Sequence, residues 1–313
     1  MQILKTVVGS FPKLEGPVEE SIKRVVDIQL KHDVDIVSDG EQRSDMIGYF
    51  DAIPGLGRNN RGVFIQSKVK PIGTPKDHIK LRDFRFVRNY LDSLGKGGIP
   101  IKVTITGPIT LGFSCALNGL GYYRNVGDLD IYYDFAQALS PLIGEVARND
   151  CYLQIDEPSL SSRVIDSKKA VKFVNESIKD VTSDFRDRNR LSVHICGPLN
   201  EQLLSDFMIL DAPVLSLAFS AHNVRNNLEV VSKQMLEMHD KKIGAGCVSV
   251  QATTIEEVER EEVIKDRLLK LFNKIGLERI LYIHPDCGFR STSLEASELI
   301  LERMNSISKI VLS

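Results

Sequence analysis

The sequence predicts an α/β fold, a closed (β/α)₈ TIM barrel over residues 1–313 as one domain, and three observations predict it. Short apolar or β-branched runs alternate with longer segments whose apolar residues recur three and four apart, the mark of parallel βα units. The runs number eight, the count of a closed barrel. No G-x-G-x-x-G follows the first run, so the usual sign of an open dinucleotide-binding sheet is missing.

In chain order the expected strands are ILKTVVGS ending near Ser10, VDIVSDG near Gly40, IKVTITG near Gly107 and CYLQIDE near Glu157, then LSVHIC, VLSLAFS, KIGAGCVSV and RILYIH. Amphipathic helices are expected in PVEESIKRVVDIQLKHD, DIYYDFAQALSPLIGEVARND, DSKKAVKFVNESIKDVTSDFRDRN and TIEEVEREEVIKDRLLKLFNKIG, each with one apolar stripe to lay on the sheet. Residues 42–99 are too long for a plain connection. Their Pro and Gly content (Pro54, Gly55, Gly57, Gly62, Pro71, Gly73, Pro75) predicts an excursion of loops or a small hairpin over one mouth, after the second strand. The acidic run from Glu256 to Glu262 is expected to open the helix after the seventh strand, where carboxylates suit the positive end of the helix dipole and face solvent. No linker, repeat or low-complexity tract marks a second domain.

Composition narrows the function. With 42% hydrophobic residues, 26% charged residues and a net charge of -2, there is no basic excess to neutralise phosphates, so nucleic acid is not an expected partner. The N-terminus lacks a secretory pattern and no stretch approaches the ~20 apolar residues that cross a bilayer, so no membrane is expected and the cytoplasm is the expected location. Five cysteines, at 115, 151, 196, 247 and 287, are an odd and scattered set that fits a reducing compartment.

A barrel of this kind builds its active site at the C-terminal ends of its strands. Those ends read Gly9-Ser10-Phe11-Pro12, Asp39-Gly40-Glu41, Thr106-Gly107-Pro108, Asp156-Glu157-Pro158, His194-Ile195-Cys196-Gly197-Pro198 and, on the eighth strand, His284-Pro285-Asp286-Cys287-Gly288. Residues two apart on a strand share a face, so His194 and Cys196 project together, and the eighth strand brings Cys287 to the same rim. An imidazole with two thiolates suits zinc, and three protein ligands leave the fourth position open, the catalytic arrangement. A lone H-x-C is more often packing; the P-D-C-G on the common rim turns the balance. Cys247 falls at the end of the seventh strand and reads as a core residue. Cys115, Cys151, His32, His78 and His239 read as packing or surface residues.

Buried carboxylates are costly without partners, so Glu41, Asp156 and Glu157 need cations or donors. A substrate ammonium is one such partner; Arg43, Arg163 or a structural lysine is another.

These strand ends resemble the catalytic barrel of cobalamin-independent methionine synthase, over nearly the whole chain. The matches fall in order: VGSFPK, DGEQRSDMIGYF, KVKPIG, ITGPIT, QIDEPSL, HICGP and HPDCGF. The chain is similar to the short, single-barrel form of the family. The resemblance implies that His194, Cys196 and Cys287 hold zinc. It implies that Ser10, with the adjacent Gly9 backbone, receives the homocysteine carboxylate, and that Glu41 and Asp156 hold its ammonium and serve catalysis. The activity implied is transfer of a methyl group to the homocysteine thiol to form methionine, from a methyltetrahydropterin or folate, or from a methylcorrinoid carried free or on a partner protein. A free thiol has a pKa near ~8.5, and zinc brings it to the thiolate at neutral pH.

Two departures bear on that expectation. The family supplies a glutamate as fourth zinc ligand at the end of the sixth strand, where this chain has Ala218, leaving water, His222 or Glu157 for the resting shell, or an open three-ligand site. The chain has no tryptophan, which the folate-using members place beside the pterin; Phe113, Tyr122 and Tyr123 are the aromatic residues nearest that place. Asp45 and Asp286 are the candidates for a proton donor to a pterin nitrogen. The competing readings are a methylcorrinoid:thiol methyltransferase acting on another thiol such as coenzyme M, and a non-catalytic barrel that binds a ligand or a corrinoid protein.

Overall fold

The computed structural model of the chain describes residues 3–181, 187–220, 224 and 226–311. One parallel sheet joins seven strands in the order β1 (Leu4–Lys5), β9 (Ile280–Pro285), β8 (Lys242–Val248), β7 (Val214–Ala218), β6 (Leu191–Ile195), β5 (Tyr152–Asp156) and β4 (Lys102–Thr106). The segment expected as the second strand spans the gap. Ile36 bridges Thr6 just beyond β1, and Val37 bridges Ile101 just before β4, both in parallel. The ring of eight is thereby closed.

That second strand is shorter than VDIVSDG predicts, and the cause is a side chain on α1 (Val18–Lys31). Gln29 accepts the Ser38 N–H at 2.8 Å and donates to the Ser38 carbonyl at 2.9 Å, so both backbone groups are satisfied outside the ladder. The Ser38 hydroxyl then donates to the Gly9 carbonyl at 2.8 Å, which stitches this rim segment to the end of β1.

The remaining strands fall where the apolar runs place them, and β4, β6 and β7 are buried at every residue, as expected of parallel strands covered on both faces. The helices bury the expected stripes: Ile22, Val25 and Val26 on α1, Val171, Val174 and Ile178 on α5 (Ser167–Ile178), and Ile264, Leu268 and Leu271 on α9 (Glu261–Ile275). Part of the expected continuation of α5 lies outside the described residues. Among the described residues no helix is long and apolar enough to cross a membrane.

Residues 42–99 do hold a hairpin, β2 (Leu56–Asn59) and β3 (Gly62–Ile65), with Asn59 opposite Gly62. Gly62 turns it at φ 124°, a conformation that side chains disfavour. The hairpin packs on α3 (Pro108–Asn118), and the Ile65–Leu120 bridge ties it there. The rest of the excursion carries α2 (Ile79–Ser93), the helix its βα unit requires. The acidic run divides: Glu261 and Glu262 occupy the first turn of α9, but Glu259 precedes the helix, pairs with Arg267 at 2.6 Å and accepts the Ser249 N–H.

Candidate metal centre and substrate site

His194 near the end of β6, Cys196 just past it and Cys287 just past β9 offer ligand atoms that all lie within 4.8 Å of one another. His194 is buried; its Nδ1 bonds Ser216 Oγ at 2.9 Å, and its Nε2 has no hydrogen-bond partner. A buried ring nitrogen left unpaired costs ~1–3 kcal/mol. Two thiols beside it make a divalent soft metal the partner that fits all three. A hydrogen bond from Cys196 holds Cys287 well below the usual thiol range against the pull of burial, while Cys196 as donor is raised.

The residues considered for a fourth position divide clearly. Ala218 closes β7 with no donor atom. Glu157 is committed elsewhere: its carboxylate accepts the Ile109 and Thr110 N–H groups, each at 2.9 Å, and the Thr110 hydroxyl at 2.7 Å, so it caps the N-terminus of α3. Burial lifts its pKa to about 7. A Cβ on Gly107 would meet this carboxylate at 2.2 Å, which explains the glycine. His222 lies outside the described residues.

Glu41 has the structural lysine as its cation. Lys80 Nζ lies 2.6 Å from Glu41 Oε1, 3.2 Å from Thr104 Oγ1 and 3.9 Å from the centre of the Tyr49 ring. Burial opposes ionisation of Glu41, but Lys80 and the 2.8 Å bond from Thr104 overcome it and hold the carboxyl below its ordinary value. Arg43 instead pairs with Asp83 at 2.6 Å, and Arg163 is exposed. Glu41 itself sits at φ 51°, held there by Arg290, which donates to the Glu41 and Ser44 carbonyls. Sequence reasoning missed Lys80, Thr104 and Arg290; Lys80 in particular reads as one more charge in the α2 segment.

Asp156 closes β5 directly in register with His194. It accepts from Gln154 Nε2 at 2.7 Å, and no cation is hydrogen-bonded to it among the described residues. Burial, offset in part by the neighbouring His194, lifts its carboxyl to about 7. Glu41 and Lys80 also act on it electrostatically, so the carboxylates and the metal-ligand cluster form one site. Ser10 lies against the loop after β9: its carbonyl accepts the Phe289 N–H at 2.7 Å, and a Cβ on Gly288 would meet its hydroxyl at 2.2 Å. Gly9 packs on Thr104. Of the residues expected to bind substrate, Asp156 is thus in register with His194, and Ser10 lies against Gly288, the neighbour of Cys287. A cleft of about 630 Å³ opens on the excursion side, with Arg43, Tyr49 and His78 in its wall.

The remaining candidates take the following places. Asp286 accepts the Phe219 and Ser220 N–H groups at 3.0 Å each, bracing the end of β7, and Asp45 caps the turn at Ile47 and Gly48. Neither is placed as a proton donor. Tyr123 is buried and donates to Asp134, whereas Tyr122 is exposed and Phe113 half-buried. Cys115, Cys151 and Cys247 are buried, and burial raises each thiol to about 12. His32 is buried, His78 caps α2 and His239 is exposed.

Residues 3–310 match the family model described as the catalytic domain of cobalamin-independent synthase. The methionine synthase of Methanothermobacter thermautotrophicus is 30% identical, covering 96% of this chain and 98% of that protein. The methionine synthase of Methanocaldococcus jannaschii is 27% identical over 99% of both chains. A 5-methyltetrahydropteroyltriglutamate–homocysteine methyltransferase of Thermotoga petrophila is 22% identical, covering 97% of this chain and 44% of that one. In fold the chain is similar to a B12-independent methionine synthase from a Shewanella species in complex with selenomethionine, with TM-score 0.75 and 20% identity, covering 100% of this chain and 98% of that one. The TIM-barrel fold agrees with the family, and the chain belongs to the cobalamin-independent methionine synthases, as their catalytic domain, and is a methyltransferase.

Proposed function

We propose that the chain methylates the thiol of homocysteine to give methionine, with zinc held by His194, Cys196 and Cys287. The observation that carries this reading is Asp156: a buried carboxyl without a bound cation, in register with a ligand-bearing histidine. A substrate carrying both an ammonium and a thiol meets the Asp156 carboxyl with the one and the His194, Cys196 and Cys287 cluster with the other. The names of the relatives, methionine synthase among them, support the same substrate.

Each residue then has a task. Asp156 receives the substrate ammonium, which pulls its carboxyl below its lifted pKa and so ionises it as the substrate binds. Glu41, already paired with Lys80 at Oε1, faces the same group and keeps a charge whose position is fixed by Thr104 and Arg290. Ser10 and the Gly9 backbone receive the substrate carboxylate. Zinc, when bound, would stabilise the substrate thiolate and so lower the thiol pKa, the proton being released to solvent at neutral pH. His194 and the two cysteines would hold the metal, and Ala218, which offers no donor atom, would leave room beside them for the substrate sulfur. The donor methyl must be held in line with that sulfur, which is the positioning part of the catalysis. The donor is a methylated pterin or a methylcorrinoid.

Metal analysis of the purified protein, followed by methyl-transfer assays with methylfolate and free methylcobalamin in parallel, tests the reading. We expect one zinc per chain and homocysteine-dependent methionine formation with one donor. Tight zinc binding without turnover from either donor would favour a binding barrel or a missing partner protein.

A further inference from the structure

Behind the metal-ligand cluster the barrel lumen carries a line of polar side chains that the proposed function does not use. Ser216 on β7 and His284 on β9 meet across β8, because that strand presents Gly244, in register with Ser216 and Tyr282, and Gly246, in register with Ala218 and His284. A Cβ on Gly244 would stand 2.1 Å from the Tyr282 ring, so this layer of β8 must stay bare. Ser216 Oγ lies 2.9 Å from His284 Nε2 and 2.9 Å from His194 Nδ1. His284 Nδ1 lies 2.6 Å from the Pro285 carbonyl oxygen.

The far end of this line sets the direction of every bond in it. A carbonyl oxygen only accepts, so His284 Nδ1 carries a proton and donates it. His284 is fully buried and neither of its ring nitrogens is bonded to a carboxylate, so the neutral ring is favoured. Its Nε2 is then an acceptor and takes the Ser216 hydroxyl proton. The Ser216 oxygen, having donated, accepts from His194 Nδ1. A neutral imidazole protonated at Nδ1 carries its lone pair on Nε2, the His194 atom that has no hydrogen-bond partner.

We propose that Ser216 and His284 are positioning residues that lock His194 in the tautomer able to ligate a metal through Nε2, so that the nitrogen is ready before the ion arrives. The inference rests on the metal reading above, but the tautomer belongs to the metal-free chain and is measured there. Partners of this kind are worth about 10–100-fold in metal affinity.

Nitrogen NMR of the metal-free protein labelled at its histidines, with His194 assigned from His194→Asn, tests it directly. We expect His194 protonated at Nδ1 and bare at Nε2. In Ser216→Ala the preference is lost and zinc affinity, from competition with a chelator, falls about 10–100-fold; Ser216→Thr, which keeps the hydroxyl, restores both. A wild-type His194 protonated at Nε2 overturns the proposal, as does an unchanged tautomer in folded Ser216→Ala. Should Ser216→Ala fail to fold, the wild-type spectrum still decides. A bare Nε2 in a wild-type chain that binds no zinc overturns the metal reading, and with it the use assigned to the lock.

Discussion

Lys80 Nζ lies 2.6 Å from Glu41 Oε1, and both side chains are buried at the rim of the barrel. The pair explains how a carboxylate persists there without substrate. Removing one partner of such a pair leaves an uncompensated buried charge, at a cost of ~3–5 kcal/mol. Lys80→Met is therefore expected to lower the unfolding free energy from urea titration by that order, and adding Glu41→Gln to recover part of the loss. A Lys80→Met protein as stable as wild type would show that the pair is not what keeps Glu41 ionised.

The carboxylates also separate homocysteine from thiols that lack an amino-acid head group. Glu41→Ala and Asp156→Ala should each cut homocysteine turnover sharply while leaving zinc content intact. Coenzyme M has no ammonium to lose. If homocysteine turnover were unchanged in both variants, or coenzyme M were the better acceptor in wild type, the assigned substrate would be wrong.

Glu157 caps α3, and on that ground it is not expected among the metal ligands. Glu157→Ala removes the acceptor of two buried backbone N–H groups and is expected to cost ~1–3 kcal/mol for each group left unsatisfied. Zinc stoichiometry and affinity should not change. Loss of zinc from a folded Glu157→Ala protein would return Glu157 to the ligand shell.

Lys102 contributes a pH dependence of known sign. It lies inside the barrel, 2.8 Å from the Val7 carbonyl oxygen and 3.1 Å from Gln154 Oε1, and burial lowers its pKa from 10.5 to about 7, with Asp156 opposing. Between these values the unfolded chain binds more protons than the folded one, so stability rises with pH across that window; below about 7 the full cost is present. Relative to Lys102→Met, the wild-type urea midpoint should climb from pH 7 to pH 10, by an amount worth a few kcal/mol. A constant difference between the two proteins would contradict a lowered Lys102.

Much of the barrel was legible because parallel strands buried on both faces leave continuous apolar runs, as LSVHIC and VLSLAFS do. The second strand was overestimated because Gln29, a residue of the neighbouring helix, satisfies Ser38 in place of a strand partner, and no local pattern announces that. That His194, Cys196 and Cys287 come together was legible from strand parity and from the motif HPDCG. Their surroundings were less so. Lys80 reaches Glu41 from 39 residues away, and Ser216 meets His284 across 68, so these partnerships follow from barrel closure and from the bare layer of β8. The bracing contacts of Asp286 were hidden for the same reason, because its backbone partners lie on a different strand end.

The central claim is that a substrate sulfur completes the set begun by His194, Cys196 and Cys287. X-ray absorption at the zinc edge, recorded on the zinc-loaded protein with and without homocysteine, measures this directly. The account expects two sulfur neighbours before homocysteine is added and three after, with Cys196→Ser starting one lower. A sulfur count that stays the same at saturating homocysteine would contradict it.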